Sequence, residues 1–208
     1  MKRPEIVRED AARENLDAYL APPSVRLDLR RSSYTVIGST AHQLRAVLRT
    51  LAPVRHGHRF GAFTDWEIAW RYQHADDRGS HQIHEVTVEV RATITSPLWK
   101  PPRSAAATLV AAWREYAAAI ETHEQGHVAL AVEAAGAIRR RLLVLPPFPS
   151  KTALADAAQA IADEELRSAR EREIAYDQIT SHGRSQGVVF PSEILPLAGD
   201  ARSPALCC

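Results

Sequence analysis

The run His123-Glu124-Gln125-Gly126-His127 carries the residue types that hold a metal ion and activate water, at a spacing a helix can use. Residues four apart on an α-helix stand one turn above each other on the same face. Two imidazoles so placed reach one ion, and the glutamate between them comes near a water bound there. Neutral imidazole nitrogens suit zinc, and a carboxylate can take the proton of a zinc-bound water. His123 and His127 are therefore candidate ligands and Glu124 the candidate general base. The pattern is short and also arises by chance. Two core histidines would then be satisfied by hydrogen bonds, and Glu124 would be a solvated acid.

The setting favours the metal. An alanine-rich stretch from Ser104 to Leu145 surrounds the motif, with Val110, Trp113, Ile120, Leu130, Ala134, Ile138 and Leu142 at three- and four-residue steps. This predicts one long helix, kinked near Gly126 or Gly136, with both histidines in its inward stripe. Leu145-Pro146-Pro147-Phe148-Pro149 stops it, and Ser150 caps a second amphipathic helix reaching about Ile179. The short connection predicts an antiparallel helix hairpin. Upstream, Val25, Leu27 and Leu29 alternate with charged residues, and Tyr34-Thr35-Val36-Ile37 continues the strand chemistry. A short helix capped by Ser39 or Thr40 would bury Leu44, Val47, Leu48 and Leu51. Trp66, Ile68, Trp70 and Tyr72, then Val86, Val88, Val90, Ala92 and Ile94, predict two half-buried antiparallel strands, broken off by Ser96-Pro97 and Pro101-Pro102. His56 and His58 match no standard zinc pattern and read as a solvated connector. The fold expected is α+β: a small antiparallel sheet packed on the long motif helix, which forms an antiparallel hairpin with a second long helix. Residues 1–23 read as a polar arm, 24–191 as one domain and 192–208 as an irregular tail.

Composition narrows the class. The chain has 208 residues, 45% hydrophobic and 25% charged, as globular proteins do, and a net charge of +1 gives no reason to expect nucleic acid. Cys207 and Cys208 are adjacent and cannot staple a fold. No apolar run follows the start and no stretch approaches a membrane span, so the sequence reads as that of a cytoplasmic protein.

A catalytic zinc takes three protein ligands and keeps one open position, so a third ligand must be found. A hairpin turning at Pro147 sets His127 level with Arg167 and His123 level with Glu171, within reach of Asp163, Glu164, Glu165 and Glu171. Those acids also read as a solvated face paired to Arg167, Arg170 and Arg172. The other candidate is the run Tyr176 to Gly183, where a helix ends and a loop can turn back. There His182 could reach the metal while Asp177 orients an imidazole through its second nitrogen, unless His182 merely caps the helix.

Five segments bear on this choice: Tyr34 to Thr40, Thr64 to Trp70, Ser96 to Trp99, the His123–His127 motif, and Tyr176 to Gly187. In this order they resemble a bacterial family of unknown function described as predicted secreted zinc-dependent proteases, over about Tyr34 to Pro191. That family pairs an H-E-x-G-H helix with a Y-D-x-x-T-x-H-G run, which falls here on Tyr176, Asp177, Thr180, His182 and Gly183. The resemblance implies a zincin-like metallopeptidase with zinc on His123, His127 and His182, and Asp177 as the alternative ligand or the carboxylate behind an imidazole. Glu124 would be the general base and Tyr176 the donor to the oxyanion. The substrate would be a peptide or protein, laid along an outer strand. It also implies secretion or a periplasmic location, from which this chain departs in showing no export signal. The rival expectation is a non-catalytic, zinc-containing binding or structural module.

Overall fold

The computed structural model describes residues 24–55, 58–59 and 61–191. The expectations for the arm 1–23, for His56 and the side chain of His58, and for the tail with Cys207 and Cys208 lie outside the described residues. In chain order the elements are β1 (Val25–Val36), α1 (Ala41–Leu51), β2 (Val54–Arg55), β3 (His58–Arg59), β4 (Phe63–Asp77), β5 (Ser80–Trp99), α2 (Ala107–Leu143) and α3 (Lys151–Thr180). A 3-10 turn at Arg184–Gln186 follows.

The architecture is α+β, with a three-stranded sheet in the order β1-β5-β4 and a separate β2-β3 pair. β4 and β5 are joined by Arg78 and Gly79, whose φ values of 54° and 84° suit a tight hairpin turn. Asp76 Oδ1 accepts the Gly79 N–H at 2.9 Å there. β1 differs from expectation. Its first residue, Val25, packs in the same cluster as Ile83 near the start of β5, and its last, Val36, packs with Trp99 at the end of β5. The two strands therefore run the same way, and the sheet is mixed rather than antiparallel. The connection between them is long, so no hairpin dictates their direction.

β5 also outlasts its predicted stop. His81 and Ile83 face inward, His84 and Glu85 are both exposed, and inward positions resume at Val86 in the opposite phase. A second slip at Thr95 and Ser96 turns Pro97 and Trp99 inward, so Pro97 lies within the strand. One extra residue exchanges the two faces of a strand, as at a β-bulge. In β1 the inward phase changes at Ser32 and Ser33.

The chain divides into two compact units, each built from three stretches. One comprises the described residues up to Arg31, Thr64–Ile94 and Gln125–Ile179. In its core Val86, Val88, Val90, Ala92 and Ile94 of β5 meet Val128, Ala131, Ala135, Ile138 and Leu142 of α2 and Leu154, Ala158 and Ala162 of α3. The other comprises Ser32–Phe63, Thr95–Glu124 and the described residues from Thr180. Its core is aromatic: Trp113 meets Trp99, Tyr116 and Phe190 edge-on at 5.5–5.7 Å between ring centroids. Burial pushes the Tyr116 phenol up to about 12. Thr40 caps α1 by accepting the Gln43 N–H, and Leu44 is fully buried on that helix. Leu51, expected on the same buried face, is instead 59% exposed.

α2 runs unbroken through Gly126 and Gly136 for about 55 Å at 1.5 Å per residue. Ser150 caps α3, its Oγ accepting the Ala153 N–H at 3.1 Å. The hairpin forms in a different register from that expected. Arg141 binds Glu165 and Glu164 at 2.7 Å each, and His127 meets Asp177 rather than Arg167. The observed pairs are displaced by about ten residues from the expected ones. In the connecting segment Phe148 exchanges two backbone hydrogen bonds of 2.8 Å with His81, a contact with β5 that a simple helix hairpin does not include. Glu164 and Glu165 consequently lie about four turns from the motif, and Glu171 pairs with Arg167.

Candidate metal centre

His123, Glu124 and His127 all lie in α2 and all are buried, Glu124 to 3% exposure. A solvated surface acid at position 124 is thereby ruled out. A carboxylate withdrawn from water needs charged or hydrogen-bonding company. The glycine of the motif has its own reason. The phenol of Tyr176 lies directly on Gly126, where any Cβ would overlap its Oη and Cζ. The same phenol stands perpendicular to the His127 ring, centroids 5.1 Å apart.

On α3 the residue that meets the histidine pair is Asp177, with Oδ1 3.1 Å from His127 Nε2. One ligand atom each of His123, His127 and Asp177 lies within 4.8 Å of the other two. Among the described residues these three form the group able to hold a metal ion. The far side of each ring supports that use. His123 Nδ1 is 2.9 Å from Gln186 Oε1, and His127 Nδ1 is 3.3 Å from Glu173 Oε1. An acceptor at Nδ1 draws the ring proton there and leaves the lone pair on Nε2, the usual backing of a metal-binding histidine. For His127 that lone pair then faces the Asp177 carboxylate, another acceptor. A proton shared between them or a metal cation would satisfy both groups. Two imidazoles and one carboxylate are a donor set that zinc accepts.

The turn after α3 is built against His123. Thr180 is buried, its Oγ1 accepting the Gly183 N–H at 3.2 Å and its carbonyl accepting the Ser185 hydroxyl at 3.1 Å. Ser181, His182 and Gly183 all have left-handed φ, of 51°, 54° and 78°. A Cβ on Gly183 would come within 2.9 Å of His123 Cγ. His182 is exposed and is not one of the three grouped residues. Tyr176, Asp177, Thr180 and Gly183 thus each have a place against the H-E-x-G-H helix or in the turn that meets it. Glu173 and Gln186 were not among the candidates read from sequence. Glu173 stands four residues before Asp177, hence on the same face of α3, a signal usable only once the hairpin register is known.

An α+β protein with two buried histidines and a half-buried carboxylate grouped on a helix hairpin is the class that fold and site define. Residues 31–183 match the family described as bacterial protein of unknown function (DUF922), and the chain belongs to it. No curated protein and no solved structure matches the chain. No helix among the described residues is long and apolar enough to cross a membrane.

Proposed function

We propose that the chain is a zincin-like zinc metallopeptidase whose ion is held by His123, His127 and Asp177. The observation that carries this reading is the buried Glu124 beside two histidines, each backed by an acceptor at Nδ1. Zinc, when bound, would polarise a peptide carbonyl and lower the pKa of water. Glu124 takes the proton of the attacking water, a role its burial between the two ligands supports. Tyr176, seated on Gly126 and edge-on to His127, offers its hydroxyl to the oxyanion. β4, which lies at one side of the sheet, would receive an extended peptide substrate.

Metal content and turnover test this separately. His123→Ala and His127→Ala are expected to lose stoichiometric zinc, and Asp177→Ala to weaken it far more than His182→Ala. The reverse order for the last two would make His182 the third ligand. Glu124→Gln is expected to keep full zinc and near-native stability while hydrolysis falls at least about 100-fold. The substrate must be one that the wild type cleaves in a chelator-sensitive way. An undiminished rate in Glu124→Gln would remove Glu124 from the mechanism. If zinc-loaded wild type cleaves nothing in broad peptide libraries, the chain is a non-catalytic zinc-binding module.

A further inference from the structure

We propose that Glu173, steadied by Trp66, is a positioning residue that fixes the His127 ring for ligation; this rests on the metal-centre reading above. An imidazole that ligates through Nε2 carries its proton on Nδ1, and that N–H needs an acceptor when buried. The His127 side chain is only 11% exposed, and Glu173 Oε1, 3.3 Å from Nδ1, is a carboxylate oxygen placed beside that nitrogen. A glutamate on a helix surface would ordinarily swing freely between rotamers. This one is held, because the same Oε1 accepts the Trp66 indole N–H at 2.6 Å. That distance is short for an N–H···O hydrogen bond. Three elements are thereby tied in series: β4 through Trp66, α3 through Glu173 and α2 through His127.

The two acids of α3 divide the ring between them. Asp177 meets Nε2, on the side of His123, and Glu173 meets Nδ1, on the far side. They stand four residues apart, so one turn of α3 spans the ring and fixes both its tilt and its tautomer. Asp177 is therefore the ligand, and Glu173 acts through His127 without touching the ion. A purely architectural tie between Trp66 and Glu173 would hold α3 to β4 with no effect on the imidazole proton.

Zinc affinity, measured by chelator competition, and the His127 Nδ1 proton, followed by NMR of the zinc-loaded protein, separate these cases. Glu173→Leu is expected to lower affinity about 10- to 100-fold and to lose the slowly exchanging Nδ1 proton. Glu173→Gln keeps an oxygen able to accept both N–H groups, and should restore most of the affinity. Trp66→Phe keeps an aromatic ring but frees Glu173, and should lower affinity by less, with the Nδ1 proton exchanging faster. If Glu173→Leu fails to fold, as a thermal melt would report, Trp66→Phe carries the test. Glu171→Leu, on the same helix but paired with Arg167, is the control and should bind zinc as wild type does. Wild-type affinity together with an unmoved Nδ1 proton in Glu173→Leu and Trp66→Phe would overturn the positioning role while leaving the metal centre intact. A wild type that takes up no zinc would instead overturn the metal centre, and the positioning role with it.

Discussion

Two glycines set the tolerance of the centre at the scale of single residues. A methyl group at Gly126 would displace the Tyr176 phenol, so Gly126→Ala should lose about 1–3 kcal/mol to overpacking. It would regain up to about 1 kcal/mol from better helix propensity. Denaturant melts should show a net loss, and Tyr176→Phe, which removes the nearest atom but keeps the ring, should relieve only part of it. Gly183→Ala combines a left-handed φ of 78° with contact on His123. It should cost about 1–2 kcal/mol and weaken zinc binding, whereas a loop with no bearing on the centre would change stability alone. Part of this grouping was legible in advance. Types and helical spacing bring His123 and His127 together on one face without any structure. Asp177 and His182 share one short run, and only the register of α3 against α2 says which of them meets the histidines. Glu173 and Gln186 carried no signal usable before that register is known, because their partners lie far away along the chain.

Among the elements, the helix hairpin shows what composition conceals. Proline-rich residues between α2 and α3 announce a turn but neither the bridge from Phe148 to His81 nor the register, which differs from the simple mirror by about ten residues. Strand alternation did identify the inward faces of β4 and the middle of β5. The phase slips and the direction of β1 depend on partners no local pattern encodes. The bridge has its own cost. His81 Nδ1 and His74 Nδ1 are buried without a hydrogen-bond partner, their rings edge-on at 5.3 Å. Since a buried, unsatisfied polar atom costs about 1–3 kcal/mol, His81→Phe should leave stability unchanged or raise it, as thermal melts would show. Across the hairpin, hydrogen bonding to Arg141 holds the Glu164 carboxyl below the usual range. A lowered carboxylate pKa contributes stability above its unfolded value and loses it as pH falls through the folded one. The pair is exposed and salt-screened, so Arg141→Ala should alter neutral-pH stability little and only flatten the acid limb of a stability–pH profile.

For the molecule as a whole, neither compact unit is a continuous piece of chain. β1, β5 and α2 each pass from one to the other, α2 between Glu124 and Gln125. Boundaries inside strands and helices leave no mark of the kind that linkers do, no run of proline, glycine or charge. Shared elements predict one unfolding event. Leu44→Ala and Leu142→Ala, in different cores, should each cost about 2–5 kcal/mol and move the same transition. Coincident denaturation curves by circular dichroism and fluorescence would bear this out, and two separated midpoints would refute it.

The bond from Trp66 to Glu173 has an optical consequence. An indole emits at a wavelength set by the charges and dipoles around it, and this indole is one carboxylate removed from His127. A cation arriving at Nε2 would redistribute charge along that chain within a few ångströms of the excited ring. Adding zinc to the metal-free protein should therefore change its tryptophan emission in a saturable way. The other three of the four tryptophans, at 70, 99 and 113, lack this link to Glu173, so the change should vanish in Trp66→Phe. Occupancy of the centre could then be followed in solution without a label, a substrate or any assumption about activity.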